Sequence, residues 1–280
     1  MLLLSLACQP VTAAIRTWDG DASANNNWSV SGNWAEGSAP VNGDVVIFPA
    51  GLPAADLLTT NNIVGLRLDL IQFSGAGGGY FVRGNSLILS NGITAAQSLG
   101  NNTVDLDLTL GRAQTFLVSD AQGVLTVNGD IALNGFDLTV NAAGTNNLNG
   151  VISGTGDITK IGTGRLVLGG INASPNTYVG DTRLNAGTLQ LSRFTIIAVI
   201  PDLIIQGRVS VPGNLFVGDG AGADLVIESS ENQIADTATV AIADTATFQL
   251  DNVSDAIAAL TMNGGTVTTG TGTLTNGNIT

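Results

Sequence analysis

The residue types that most often carry chemistry are scarce in this chain. It has no histidine, which removes Ser-His-Asp and Cys-His catalysis and histidine-based zinc sites. Its one cysteine, Cys8, lies in an apolar N-terminal stretch. Carboxylates remain. Asp105 and Asp107 stand two apart in an alternating run, so one strand would turn both to the same side. Paired carboxylates of that kind support glycan cleavage or calcium binding. A solvated strand face is the simpler reading and the preferred one. A lyase on such a scaffold would also need Lys or Arg beside the acids, and Lys160, Arg165 and Arg183 form no convergent set along the chain.

Three further patterns have a chemical and a structural reading. The stretch 219–226 nearly fits the calcium-binding nonapeptide Gly-Gly-x-Gly-x-Asp-x-apolar, with Asp219 where a glycine belongs. Such sites hold each ion between successive turns and need tandem copies; one imperfect copy reads as a Gly-rich turn. Trp28 and Trp34 could stack on sugar rings, but burial in a cap is the preferred assignment. Gly75-Ala76-Gly77-Gly78-Gly79 lacks the Lys-Ser/Thr that completes a phosphate-binding loop and reads as a turn. The residues therefore assign no catalytic, cofactor-binding or metal-binding position, and the chain reads as a non-enzyme without cofactors.

The elements that would position these residues are strands. Of 280 residues, 11% are charged and 37 are glycine, against roughly 25% charged and ~7% glycine in an average protein. Lys160 is the only lysine, and glutamate is confined to Glu36, Glu228 and Glu231. Helix surfaces need such residues, whereas β-branched residues favour strands and Gly and Asn favour turns. At 44% hydrophobic the chain is too apolar for disorder. No stretch after the N-terminus approaches the ~18 apolar residues of a spanning helix. A net charge of −13 argues against nucleic acid and anionic lipid as partners.

Organisation follows from the same pattern. Residues 1–14 end in Thr12-Ala13-Ala14 after an apolar run and read as a secretory signal; with Cys8 removed, the mature chain has no thiol. Residues 15–54 hold all three tryptophans, Trp18, Trp28 and Trp34, and read as an N-terminal cap over an otherwise exposed terminal coil. From 55 to 280, short strands alternate with Gly, Asn and Asp turns. Strands are expected at 66–71, 86–89, 104–110, 124–127, 136–140, 166–168, 188–191, 203–205 and 224–227. Degenerate repetition of one phrase, Thr and Asn suited to side-chain ladders, and an aliphatic interior favour a solenoid over a sandwich or barrel. Roughly 20–30 residues per coil gives about eight to eleven coils, about 40–50 Å long at the strand spacing.

The stretch 154–191 carries the most specific signal: Gly156, Lys160, Gly162, Gly164, Leu166, Leu168 and Gly170, then Asn176-Thr177-Tyr178 with Gly180, then Asn185-Ala186-Gly187-Thr188-Leu189. It resembles the autotransporter-associated β-strand repeat, or passenger-associated transport repeat. Arg165 stands where the family usually has Thr, and 173–175 lengthen the usual spacing. Phrases at 217–220, 232–236 and 256–260, and Trp18-Asp19-Gly20, Asn27-Trp28 and Asn33-Trp34 upstream, are similar to those that accompany the repeat. The resemblance implies an all-β, right-handed parallel β-helix outside the bacterial cell, a scaffold or adhesin passenger whose repeat aids secretion and folding. It implies the outer membrane as a partner through a C-terminal barrel, whose series of roughly ten-residue strands does not occur before Thr280. A self-assembling fibre subunit, with the chain itself as partner, and a glycan-binding or glycan-cleaving β-helix are the alternatives.

Overall fold

A computed structural model describes residues 13–22, 25–171, 173–199, 202–243 and 245–278. Cys8 and most of the signal-like segment lie outside the described residues. The strands stack into a β-solenoid. One parallel sheet has eleven strands, a second also has eleven, and a third, of five strands, closes the early coils. Two 3-10 turns, Ser31–Asn33 and Ala54–Asp56, are the helical elements among the described residues.

The stacking is legible in the register. In the first sheet Ile71 pairs with Ile93, Ile93 with Phe116, Phe116 with Val140, Val140 with Lys160 and Lys160 with Leu184. One coil thus takes 20 to 24 residues along this run, within the expected length. Strand alternation turns every second side chain inward, and the inward set is mostly Leu, Ile, Val and Phe, interrupted by buried polar residues such as Asn102, Asn146 and Thr182. Glycines occupy corners where coils touch. At Gly92 (φ +94°) a Cβ would overlap the Thr115 carbonyl of the next coil, and at Gly164 it would overlap the Gly144 carbonyl.

The tryptophans close the N-terminal end. Trp18, Trp28 and Trp34 are buried, and each indole N–H has an acceptor: the Asp56 carbonyl at 2.8 Å, the Thr59 hydroxyl at 2.9 Å and the Trp28 carbonyl at 2.8 Å. Trp34 meets Trp18 and Trp28 edge-on at 5.2 and 5.9 Å. Phe48, Phe73 and Tyr80 continue the aromatic core into the next coils. Since no tryptophan is exposed, none offers a ring to a sugar.

Three details differ from the sequence reading. The expected strand 66–71 is split at Asp69 between Arg67–Leu68 of the third sheet and Leu70–Ser74 of the first. The expected strand 104–110 is broken: Asn101–Asp105 ends at a corner, Leu106 turns inward, and Leu108–Leu110 is the central strand of the third sheet. Asp105 and Asp107 therefore flank a corner between two sheets rather than sharing a strand face. The expected strand 188–191 lies in the coil stack, whereas 203–205 belongs to a protruding hairpin. Thr188–Val199 runs on past the coil and pairs antiparallel with Asp202–Gly207, Phe194 opposite Gly207 and Ile196 opposite Ile205. This insertion stretches one coil to the 33 residues between Leu184 and Val217.

Candidate functional site

The basic residues singled out in the sequence lie on separate surfaces. Lys160 points into the core from the first sheet. Arg165 lies on the second sheet and reaches Gln190 Oε1 at 3.0 Å. Arg183 lies on the first sheet, pairs with Asp181 at 2.7 Å and covers the Phe216 ring at 4.2 Å. The Gly-rich segment 218–224 is a loop in which Asp219 Oδ1 accepts the Ala221 N–H at 3.0 Å. Among the described residues no three Asp, Glu, His or Cys side chains converge as a metal site. Gly75 to Gly79 form the loop between Leu70–Ser74 and Phe81–Gly84.

Ionisable chemistry is instead concentrated inside the solenoid. Lys160 has no solvent exposure and replaces an aliphatic residue between Val140 and Leu184. Its Nζ donates to the carbonyls of Ile161 (2.8 Å), Gly162 (2.6 Å) and Ala186 (3.1 Å). These belong to corners of two successive coils, so the ammonium ties one coil to the next. Burial lowers its pKa to about 8, with Asp224 opposing the shift. Lys160→Met keeps the apolar stem and leaves the three carbonyls without this donor. At pH 7 it is expected to lose about 1.5–3 kcal/mol, the range for a charged hydrogen-bonding group, seen as a lower urea midpoint at unchanged slope. An unchanged midpoint would show that the ammonium contributes nothing.

A second buried polar group spans the coils on both sides of the hairpin. Arg193, also without exposure, donates to the carbonyls of Ser174 (2.9 Å) and Gly150 (2.6 Å), and burial lowers its pKa to about 10. Gln233 Oε1 accepts from the Arg193 N–H at 2.8 Å and the Ser210 hydroxyl at 2.7 Å. Asp255 Oδ2 accepts the N–H groups of Gln233 and Ile234, both at 2.9 Å. Glu228 lies inside the second sheet between Leu191 and Leu250. Among the described residues no donor reaches either of its oxygens; its neighbour is the Asp255 carboxyl, to which protonated Glu228 donates. Burial, reinforced by the Asp255 charge, holds its pKa well above the ordinary glutamate value.

Sequence reasoning missed Arg193, Gln233 and Glu228. The signal for Glu228 was the alternation in 225–228, which turns Val226 and Glu228 inward together. Lys160, Arg193 and Glu228 are sealed from solvent, so no substrate meets them where they sit. Lys160 and Arg193 bond carbonyls of other coils and so tie coils together.

Residues 158–191 match the family model described as passenger-associated-transport-repeat, the family the residues pointed to. No curated protein and no solved structure matches the chain. The matched stretch runs from strand Ile158–Ile161 through Arg165–Ile171 and Thr182–Leu184 into Thr188–Val199. It is one full coil and the start of the next. Leu166, Leu168, Tyr178, Leu184, Leu189 and Leu191 fill its interior. Asn176, also buried, accepts the Ile152 N–H at 2.9 Å and donates to the Ser210 carbonyl at 2.8 Å, bonding the coils on either side.

Proposed function

We propose that the chain is a non-catalytic, passenger-type β-solenoid scaffold that works outside the bacterial cell. The observation that carries this reading is the role of the matched repeat. Its inward residues pack, Lys160 and Asn176 bond neighbouring coils, and Gly164 lets two coils touch. Each coil is a template for the next, and stability is roughly a sum over neighbours. A chain that folds coil by coil as it emerges does not readily slide back, so folding itself favours outward movement. The partner this reading assigns is a translocator in the outer membrane. The absence of disulfide requirements and the acidic, polar outer surface suit a secreted scaffold.

The test is cell fractionation with intact-mass measurement of the native protein. The reading expects the protein in the surface or extracellular fraction, lacking the segment up to about Ala14. A protein confined to the cytoplasm with its N-terminus intact overturns it.

A further inference from the structure

The second sheet carries two adjacent columns of hydrogen-bonding side chains on its outer face. In one, Thr103, Thr126 and Asn147 stack on successive coils. In the other, one residue past the paired Val104, Val127 and Leu148, stand Asp105, Asn128 and Asn149, the N–H groups of the two asparagines still bonding the Val104 and Val127 carbonyls at 2.9 and 2.8 Å. Successive members sit one strand spacing apart, about 4.8 Å. Ladder bonds hold them: Asn147 Nδ2 to Thr126 Oγ1 at 3.1 Å, and Asn149 Nδ2 to Asn128 Oδ1 at 3.0 Å. Among the described residues, nothing hydrogen-bonds to the Asp105 carboxylate, the Asn128 amide nitrogen or the Asn149 amide oxygen. Above this column Arg165–Ile171 runs on where the coils below turn their corner, leaving Ile171 68% exposed. Asp105, Asn128, Asn149, Gly170 and Ile171 line a cleft of about 530 Å³.

We propose that this cleft binds a neutral glycan chain, a ligand site that goes beyond the scaffold reading. Sugar hydroxyls both donate and accept, and the cleft offers both: amide N–H groups, an amide oxygen and a carboxylate. Among the described residues no cation lines it; Arg83, one coil below Asp105, is turned to the Thr60 hydroxyl at 3.4 Å. Phosphorylated or sulfated polymers are therefore disfavoured. Ile171 supplies an apolar wall for the C–H face of a pyranose ring. Polar groups repeating at a fixed step suit a ligand that is itself a repeating chain, and the ladder bonds order them before it arrives. An extended peptide, the competing occupant, joins a sheet edge through its backbone and has no need of the side-chain ladder.

The test titrates the purified full chain with linear hexasaccharides of β-1,4-glucose, α-1,4-glucose, β-1,4-mannose, β-1,4-xylose and β-1,4-N-acetylglucosamine, and with an extended Ser/Thr/Val-rich peptide, by calorimetry and saturation-transfer NMR. At least one saccharide is expected to bind saturably. Asn128→Ala/Asn149→Ala should weaken it at least tenfold, and so should Ile171→Asp, a second variant that leaves the ladder intact. Asn91→Ala, at a different corner, should leave it unchanged, and thermal melts establish that each variant is folded. The proposal is overturned if no saccharide binds the wild type, if only the peptide binds, or if binding survives in folded variants of both kinds. None of these outcomes touches the location test of the scaffold reading.

Discussion

Trp34→Ala is expected to cost about 3–5 kcal/mol, the range for deleting a large buried aromatic ring, and to do so at one end of the molecule. Trp34 is buried between Trp18 and Trp28, edge-on to both, and its indole N–H satisfies the Trp28 carbonyl. Alanine leaves a cavity too large for the neighbouring rings to close and strands that carbonyl. In a solenoid each coil contacts mainly its neighbours, so the damage stays near where it is made. Hydrogen exchange by mass spectrometry is expected to show lost protection over 15–49 and unchanged protection over 158–191. Trp34→Phe, which keeps a ring and loses the hydrogen bond, should fall between the two. Uniform loss of protection along the chain would mean that the solenoid unfolds as one unit and that the cap is not a local device. The opened end also exposes strand edges, so the alanine variant should be more prone to self-associate at high concentration.

The cap and the coil were legible because both are written in local patterns. Clustered tryptophans mark one end, and strand alternation between Gly and Asn turns marks each coil. What depends on contact between distant residues was not legible. The three carbonyls around Lys160 come together only when Ala186, 26 residues on, arrives from the next coil. The corner at Leu106 reads like more strand, since an inward leucine satisfies the alternation on either side of a bend. The run 194–199 is apolar and extended, yet nothing within it says that the chain will reverse after it. An exact period escaped because corners differ in length while strands stay in step. Ile242 pairs with Met262 after 20 residues, whereas Val217 reaches Ile242 after 25. A fixed period is therefore absent from the sequence although the stacking is regular.

Glu228 makes the opposite prediction from most buried residues: its removal should stabilise the protein. A carboxyl between Leu191 and Leu250, with the Asp255 carboxyl alongside, is held protonated. Its folded pKa lies well above the ordinary glutamate value of 4.5, so over that window the folded state binds more protons than the unfolded state. Stability from this group is complete below pH 4.5 and is lost as pH rises toward the folded pKa, at up to about 1.4 kcal/mol per pH unit for one proton. Asp255 and Asp224, both raised chiefly by burial, act in the same direction. Lys160, lowered to about 8, acts oppositely: it is protonated more in the unfolded state between about 8 and its ordinary 10.5, so stability from it rises with pH there. Urea unfolding of the wild type is therefore expected to show a midpoint that falls between pH 4.5 and 7. Glu228→Gln, which can still donate to Asp255 but cannot ionise, should flatten most of that fall. Glu228→Leu continues the leucine column and is expected to exceed wild-type stability at pH 8 by about 1–4 kcal/mol, as when buried charged groups give way to apolar ones of similar volume. Parallel pH profiles for wild type and Glu228→Gln would place the titrating group elsewhere. The acid-side stability matters for the scaffold as well. Glu228 and Asp255 both lie in the coils that follow the hairpin, and burial raises both, so the stability lost with rising pH is expected there. The coil matched to the repeat keeps its own bonds through Lys160 and Asn176 at neutral pH.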